Sequence, residues 1–251
     1  MSSGLGKGLR FAMSHESPRR VRLADVRELT SRVRGLVCEA EGPEPFVYEA
    51  GQWVMLRLRG ADGAVLSRPY SIASAPGYAG PNCFEVAVGA SSDVAVDESL
   101  RALRAGQSLE VGATGGALTW RAARGGGAAL LIGAGTGVAP MRALAQEALG
   151  RGEGRRVVLV AGFRSRDESL WVDELSGWGD RLRVELTLSQ GDEGWAGRRG
   201  YVQEHVAALA RELGVTDAFV CGRTAMTSSV AELLRRESGL GEGALHVEGH
   251  G

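Results

Sequence analysis

The sequence has little of what marks several protein classes. Its three cysteines, Cys38, Cys83 and Cys221, have no C-x-x-C spacing, which argues against a disulfide framework, a zinc site or an iron–sulfur cluster. No apolar run approaches the length of a bilayer span, and the N-terminus has no signal-peptide pattern. The 29 Lys and Arg residues balance the 30 Asp and Glu residues, so neither nucleic acid nor an anionic membrane is indicated as a partner. We expect a cytoplasmic protein without membrane insertion.

Glycine, by contrast, is abundant, with 38 residues that fall between apolar runs. From Val21 to Leu118 the chain reads as short β-rich segments, a pattern typical of an antiparallel barrel or sandwich. We predict one helix here, Glu98–Ala105, with Asp97 as its N-cap. The predicted strands are Val21–Val26, Arg32–Glu39, Trp53–Arg59, Ser67–Ser74, Phe84–Val88 and Ser108–Val111.

Beyond the glycine-rich stretch Arg124–Gly127, predicted strands alternate with predicted helices. This alternation favours a parallel sheet with helices on both faces, and therefore a second domain that begins near Arg124. The predicted strands are Val157–Ala161, Arg183–Leu188 and Ala218–Cys221. The predicted helices are Ala139–Leu149, Tyr201–Leu213 and Ala225–Ser238.

The stretch Leu130–Pro140 combines an apolar run, three glycines and the start of a helix. Gly133, Gly135 and Gly137 would let the backbone approach a pyrophosphate, and the helix N-terminus would offer free N–H donors. Taken alone, the pattern fits a nucleotide site and a purely structural turn equally well.

A second motif, Arg68-Pro69-Tyr70-Ser71, lies on a predicted strand of the first half. Arg68 could grip a phosphate, and Tyr70, on the same strand face, could stack on a flat ring. From the pattern alone, a solvated edge strand is the better explanation.

These two motifs, in this order, resemble those of the ferredoxin–NADP reductase family of flavoproteins. Gly51-Gln52 after Phe46 is similar to the family's F-x-x-G-Q signature, and the near-terminal Glu248 to its conserved acid. Trp195, Gly197, Gly200 and Tyr201 resemble W-x-G-x-x-G-Y, and Cys221 to Met226 resemble C-G-P-x-x-M. The resemblance runs from about Val21 to the end of the chain.

The resemblance implies a fold and an activity. The fold is a six-stranded antiparallel Greek-key β-barrel that binds flavin, over residues 21–123, followed by a parallel-sheet α/β domain that binds NAD(P), over residues 124–251. Residues 1–20 would form a flexible arm. The implied activity is transfer of a hydride from NAD(P)H to FAD, with FMN as a possible substitute, and then of electrons to a separate acceptor such as a ferredoxin or a haem protein.

The resemblance also implies roles for individual residues. Arg68 would hold a flavin phosphate, Tyr70 would pack on the isoalloxazine, and Ser71 would bond near its central-ring nitrogen. Cys221 and Glu248 would flank the nicotinamide, so Ser71, Cys221 and Glu248 are the predicted catalytic residues. Outside the family context, Cys221 is better explained as a small buried hydrophobe. The other predicted cofactor-binding residues are Pro69, Gly133, Gly135, Thr136, Gly137, Pro140, Arg164, Ser189, Tyr201, Gly222, Met226 and His250.

The sequence departs from the family pattern at three places, one of which is Gly112-Ala113-Thr114-Gly115, where the family's usual proline is missing. The G-x-x-S element that binds the flavin diphosphate is replaced by Val94-Ala95-Val96-Asp97, and a carboxylate there would repel a diphosphate unless it turns away. Flavin binding is therefore expected to be weakened, shifted to FMN or lost. The C-terminal aromatic that covers the flavin is also missing, and His250 either replaces it or belongs to a frayed tail.

The sequence leaves the choice between NADH and NADPH open. Ser189 matches a family S-R pair, but Gln190 replaces the arginine. A 2′-phosphate contact and an ordinary surface role are equally open for Arg164, Arg166, Arg198 and Arg199.

The sequence is also compatible with other functions. A flavin-free, nucleotide-sensing module would keep the fold, whereas a plain Rossmann dehydrogenase is disfavoured because Val138 replaces the last glycine of G-x-G-x-x-G. Arg19, Arg20 and Arg22 either form a positive edge for an acidic partner or belong to the flexible arm. Trp171 and Trp178 are interpreted as packing residues.

Overall fold

The computed structural model describes residues 18–123, 126–152, 155–179, 181–191 and 193–250, which form two six-stranded sheets. No helix within these ranges is long and apolar enough to cross a membrane. The predicted domain boundary near Arg124 and most of the predicted arm lie outside the described residues. The arm's last two residues, Arg19 and Arg20, already belong to the first strand.

The first sheet is antiparallel and closes into a barrel. Its strands, in the spatial order β4-β3-β6-β1-β2-β5, hydrogen-bond side by side, and a bridge between Ile72 and Val86 joins the two edges. Side chains alternate between the two faces of each strand, and in β3 every second residue, Val54, Leu56 and Leu58, is buried inside the barrel. This confirms the predicted barrel class. The strands are β1 Arg19–Thr30, β2 Val33–Ala40, β3 Trp53–Arg59, β4 Val65–Ser71, β5 Cys83–Gly89 and β6 Ser108–Gly115.

The barrel helix begins earlier than predicted. Helix α1 spans Val94–Ala102, so the predicted range Glu98–Ala105 and the predicted Asp97 N-cap are wrong. Asp93 is the N-cap, because its side chain accepts a hydrogen bond from the backbone N–H of Val96. At the end of the helix, the Arg34 guanidinium donates hydrogen bonds to the carbonyls of Leu100 and Leu103.

The second sheet is parallel, with the spatial order β10-β9-β8-β7-β11-β12. Two buried apolar clusters, one on each face, pack helices against it, which confirms the predicted α/β class. The short edge strands β10 and β12 are not predicted from the sequence, whereas the short helix α3 lies where a helix is expected near Asp173-Glu174-Leu175. The strands are β7 Ala128–Ala134, β8 Val157–Phe163, β9 Arg183–Leu188, β10 Arg198–Arg199, β11 Val215–Arg223 and β12 Leu245–His250. The helices are α2 Val138–Arg151, α3 Val172–Ser176, α4 Gln203–Leu213 and α5 Thr224–Ser238.

A buried charged cluster joins the barrel to the parallel sheet. Arg142 of α2 binds Glu85 of β5 and Glu174 of α3, and also donates to the Ala73 carbonyl. The Trp171 ring lies 4.7 Å from the Arg142 guanidinium. Trp178 is buried in the apolar cluster on one face of the sheet, so both tryptophans pack as predicted.

Candidate active site

The predicted site residues of the second half gather at the carboxyl edge of the parallel sheet. Cys221 of β11 lies in register with Gly133 of β7 on one side and with Glu248 of β12 on the other. In open α/β sheets this edge is where ligands bind, because loops and helix N-termini surround it.

The barrel meets this edge at Ser71, the last residue of β4. The Ser71 side chain lies beside the Cys221 thiol, close enough to act on its pKa, which brings the R-P-Y-S motif to the C-G-R motif. Burial, together with the nearby Glu248, raises the pKa of Cys221 to about 12, while Gly222 and Ser71 act in the opposite direction. Cys221 is therefore a protonated thiol at neutral pH.

Glu248 is a half-buried carboxyl beside this thiol. Burial raises the pKa of Glu248 to about 7, from the model-compound value of 4.5. The group is therefore divided between its neutral and charged forms near neutral pH. A carboxyl in this state can hold or release a proton without a large cost.

The glycine turn between β7 and α2 is as compact as predicted. A Cβ on Gly137 would lie 2.3 Å from the Cys221 carbonyl oxygen, and one on Gly133 would lie 2.7 Å from the Gly137 oxygen. Gly135 has a positive φ of 56°, and the half-buried Thr136 faces Gly89 of the barrel. Gly137, the N-cap of α2, makes no side-chain hydrogen bond to the helix. The Val138 N–H donates to the Gly135 and Thr136 carbonyls, and Gly137 has no side chain that would exclude an anionic ligand from the start of α2.

Pro140 and Met226 support this turn from two helices. Pro140 is buried in the first turn of α2, where no helical N–H is needed. Gly222 has a positive φ of 152°, which favours glycine, and the end of the Met226 side chain, in the first turn of α5, packs against it. Both residues lie next to the site, because the helices to which they belong begin at the carboxyl edge of the sheet.

The R-P-Y-S strand places Arg68 and Tyr70 on one face near the N-terminus of α1. Arg68 forms an ion pair with Asp93, with 2.7 Å between Nη2 and Oδ2. Burial raises the pKa of Tyr70 to about 12, and the charges of Arg68 and Asp97 also act on it. Pro69 between them is exposed. Arg68, Tyr70 and the start of α1 therefore lie together, as the resemblance requires.

Arg164 and Ser189 follow β8 and β9 on the same carboxyl edge, away from Cys221. Arg164 Nε donates to Gln190 Oε1 at 3.0 Å, and Glu168 lies 3.8 Å from Nη1. Tyr201, at the start of α4, is 64% exposed. Arg164, Ser189 and Tyr201 lie at the same end of the sheet, but β7 and its turn separate them from Ser71 and Cys221.

The other candidate arginines are engaged within the protein. Arg198 pairs with Glu185 at 2.7 Å, and Arg199 donates to the carbonyls of Gly191 and Trp195. The Arg166 guanidinium lies 5.4 Å from the centre of the Trp195 ring.

The comparisons with known proteins agree with this arrangement. A family model described as the oxidoreductase NAD-binding domain matches residues 131–232. Ferredoxin–NADP reductase B of Sorangium cellulosum is 38% identical over 245 residues, which cover 94% of this chain and 99% of that protein. The chain belongs to the ferredoxin–NADP reductase family. The resemblance predicted from the motifs is confirmed.

More distant relatives of the ferredoxin–NADP reductase family share the fold. The reductase component DmpP of a Pseudomonas phenol 2-monooxygenase is 27% identical over 82% of this chain and 58% of its own length. The cytochrome P450 reductase GcoB of Amycolatopsis superposes with a TM-score of 0.79 at 23% identity, covering 93% of this chain and 69% of that one. A Neisseria gonorrhoeae ferredoxin–NADP+ reductase with bound FAD and NADP gives a TM-score of 0.73 at 18% identity, over 88% and 91% of the two chains.

The family's two cofactors fit this chain unequally. The uncapped start of α2 and the turn that tolerates no Cβ suit a pyridine-nucleotide pyrophosphate, and Tyr70 and Ser71 at the junction of the two sheets suit a flavin ring. The N-terminus of α1, where the family binds the flavin diphosphate, instead carries Asp93. The sequence reasoning missed Asp93, although an Asp before a helix is an ordinary capping signal.

His250 is placed by an element that the sequence did not predict. It is the last residue of β12 and lies in register with Arg223 of β11, so it does not belong to a frayed tail. Burial and the charge of Arg223 lower the pKa of His250. Its predicted role of covering the flavin ring stays a prediction.

Proposed function

We propose that this chain is a flavin-dependent NAD(P)H oxidoreductase that passes electrons to a separate acceptor, such as a ferredoxin or a haem protein. A bound flavin supplies the chemistry of accepting a hydride and releasing its electrons singly or in pairs. The observation that carries the proposal is that Ser71, at the end of barrel strand β4, lies beside Cys221 at the carboxyl edge of the parallel sheet. It brings the flavin motif of the barrel and the nucleotide motif of the sheet to one place.

The barrel side of the site would orient the flavin ring. Tyr70 offers a half-buried aromatic face, and Ser71 offers a hydroxyl at the junction. Holding two rings in fixed contact is the main way in which a protein can accelerate hydride transfer between cofactors. Arg68 is the proposed partner of a flavin phosphate.

The sheet side would hold the pyridine nucleotide. Gly133, Gly135, Thr136 and Gly137, with the N-terminus of α2, would receive its pyrophosphate. Cys221 and Glu248 would flank the nicotinamide. Because the Cys221 thiol keeps its proton at neutral pH, it offers a small uncharged surface there rather than a nucleophile.

Two further assignments rest on the sequence and the fold. We retain residues 21–123 as the barrel domain and residues 124–251 as the nucleotide domain. Arg20 and Arg22 pair with Glu41 and Glu39, so the positive edge considered for an acidic partner is partly neutralised within the protein. A cytoplasmic location stays a prediction.

Flavin uptake and reduction test this function. The purified protein is titrated with FAD and FMN, and the flavin-loaded protein is mixed with NADPH or NADH under anaerobic conditions in a stopped-flow spectrometer. We expect the flavin absorbance to bleach and ferricyanide to reoxidise it. A protein that takes up neither flavin but still binds NADPH would instead be the flavin-free module.

A matched pair of cysteine variants tests the site. Cys221→Ala is expected to slow flavin reduction at least about tenfold, because a small displacement of the nicotinamide is costly. Cys83→Ala, on barrel strand β5, is the control and is expected to reduce at the wild-type rate.

A further inference from the structure

Helices α1 and α2 both begin near the site, but the N–H groups of their first turns are satisfied in different ways. The N-terminus of α2 is uncapped by its own N-cap side chain, whereas that of α1 is capped by Asp93. Asp93 Oδ1 accepts from the Val96 N–H at 3.3 Å. A carboxylate at this position is favoured by the helix dipole. It also occupies the place that an anionic ligand would take.

The other oxygen of Asp93 contacts the arginine of the R-P-Y-S motif. Arg68 Nη2 donates to Asp93 Oδ2 at 2.7 Å, and both side chains are a little over 40% exposed. A flavin phosphate would require the same two donors, a guanidinium and a helix N–H. One carboxylate of the protein already makes both contacts.

Three further donors around this helix start also bond to side chains of the protein. Asp97 accepts from the Ser91 N–H at 3.0 Å and from Arg101 Nε at 2.7 Å. The Asp93 N–H donates to Ser91 Oγ at 3.1 Å. Two carboxylates thus balance the two guanidinium groups of Arg68 and Arg101. A flavin phosphate would add negative charge to a region that is already neutral.

We propose that Asp93 stands in for the flavin phosphate and thereby weakens the binding of phosphorylated flavins. The proposal rests on the proposed function, since it concerns the flavin of that same site. To bind, a phosphate must displace Asp93 from Arg68 and from the helix, and then lie beside the displaced carboxylate. The ring therefore supplies the affinity, and the flavin is an exchangeable ligand.

Wild-type protein gives the first test. Calorimetric titration with riboflavin, FMN and FAD compares one ring with and without phosphate groups. We expect the three Kd values to agree within about threefold, because the phosphate gains no new donor. A charge-assisted phosphate contact that gained its full donors would favour FMN at least about tenfold. An FMN or FAD preference of that size over riboflavin would overturn the proposal.

Neutral residues at position 93 give the second test. Asp93→Ser keeps a good N-cap without the charge, and Asp93→Asn keeps the shape. In both variants the Kd of FMN and FAD is expected to fall about tenfold, whereas that of riboflavin changes less than about twofold. An equal change for riboflavin, or no change for FMN, would contradict a role at the phosphate.

Asp97→Asn is the matched control. It removes one negative charge from the same helix turn but no contact with Arg68. Its FMN affinity is expected to improve less than about threefold. If it improved as much as in Asp93→Ser, the effect would come from overall charge, and the specific role of Asp93 would be rejected. Thermal unfolding of each variant checks that it is folded.

The failure of this inference and that of the proposed function look different. Tight binding of FMN or FAD by the wild-type protein, with fast reduction by NADPH, would overturn the inference alone. Absence of any uptake, including that of riboflavin, would overturn both.

Discussion

Arg142 of helix α2 and Glu85 of strand β5 form an ion pair with 3.0 Å between Nη1 and Oε2, and the two side chains are only 5% and 3% exposed. The pair joins the parallel sheet to the barrel. Arg142 also binds Glu174 at 2.7 Å, and Gln146 of the same helix donates to Glu174 and accepts from the Ala75 N–H.

Removal of Arg142 should therefore be costly. Arg142→Met leaves the Glu85 carboxylate buried without its closest cation, which typically costs about 3–5 kcal/mol of stability. Urea unfolding of the two proteins measures the difference in unfolding free energy.

An exposed ion pair provides the comparison. Arg211 pairs with Glu237 at the surface, so Arg211→Met is expected to cost less than about 1 kcal/mol. The double variant Arg142→Met with Glu85→Gln should recover part of the loss, because the buried charge is then gone. Equal small losses in Arg142→Met and Arg211→Met would show that the buried cluster does not hold the two sheets together.

Local pattern predicted some elements to the residue and missed others for identifiable reasons. Strands β3 and β9 were predicted with their exact bounds, because alternating or β-rich residues are bounded there by clear turn residues. The barrel helix was predicted four residues late, since Asp93 and Asp97 are both good N-caps. Only the contact of Asp93 with Val96 distinguishes them, and that contact depends on the folded loop.

Long-range contacts could not be predicted at all. The partners of Arg142, Glu85 and Glu174, are 57 and 32 residues away, and no local signal links them. The register of Cys221 with Glu248 also depends on β12, a short edge strand with little pattern of its own. Family resemblance, not periodicity, indicated that Ser71, Cys221 and Glu248 belong to one site.

The stability of the protein should depend on Glu248 between pH 4.5 and 7. Burial raises the pKa of this carboxyl from 4.5 in the reference state to about 7 in the folded protein. In that range the folded state keeps a proton that the unfolded state has lost, so its contribution to stability falls as the pH rises. The full loss, about 3 kcal/mol, is reached above pH 7.

Glu248→Gln removes this dependence because the amide does not ionise. Its unfolding free energy should match that of the wild type at pH 4 and exceed it by up to about 3 kcal/mol at pH 8.5. Glu232→Gln, at an exposed position of α5, is the control and should follow the wild type at both pH values. Parallel curves for the wild type and Glu248→Gln would refute the prediction. Denaturant titrations at the two pH values provide the measurement.

The glycine turn should not accept a side chain at Gly137. A methyl group there would approach the Cys221 carbonyl to 2.3 Å, and the backbone of both segments is held by the sheet. We expect Gly137→Ala to cost about 1–3 kcal/mol of stability and to weaken NADPH binding. Gly150→Ala, on the same helix α2 with open space around it, should instead stabilise by about 0.5–1 kcal/mol. Unfolding free energies and NADPH titrations test both, and tight NADPH binding by Gly137→Ala would contradict this account of the turn.

Arg164 is the arginine best placed to favour NADPH over NADH. Arg198 and Arg199 are engaged by Glu185 and by backbone carbonyls, whereas Arg164 contacts a neutral amide, with Glu168 at 3.8 Å. Its charge is therefore the least neutralised of the three near Ser189. A charge-assisted contact to a 2′-phosphate contributes about 1.5–3 kcal/mol, so Arg164→Ala should raise the KM for NADPH at least about tenfold and leave that for NADH nearly unchanged. Arg198→Gln should change both constants alike, because it disturbs the fold rather than a phosphate contact. Steady-state ferricyanide reduction with each nucleotide decides the matter: an equal rise for NADH and NADPH in Arg164→Ala would remove Arg164 from the coenzyme site.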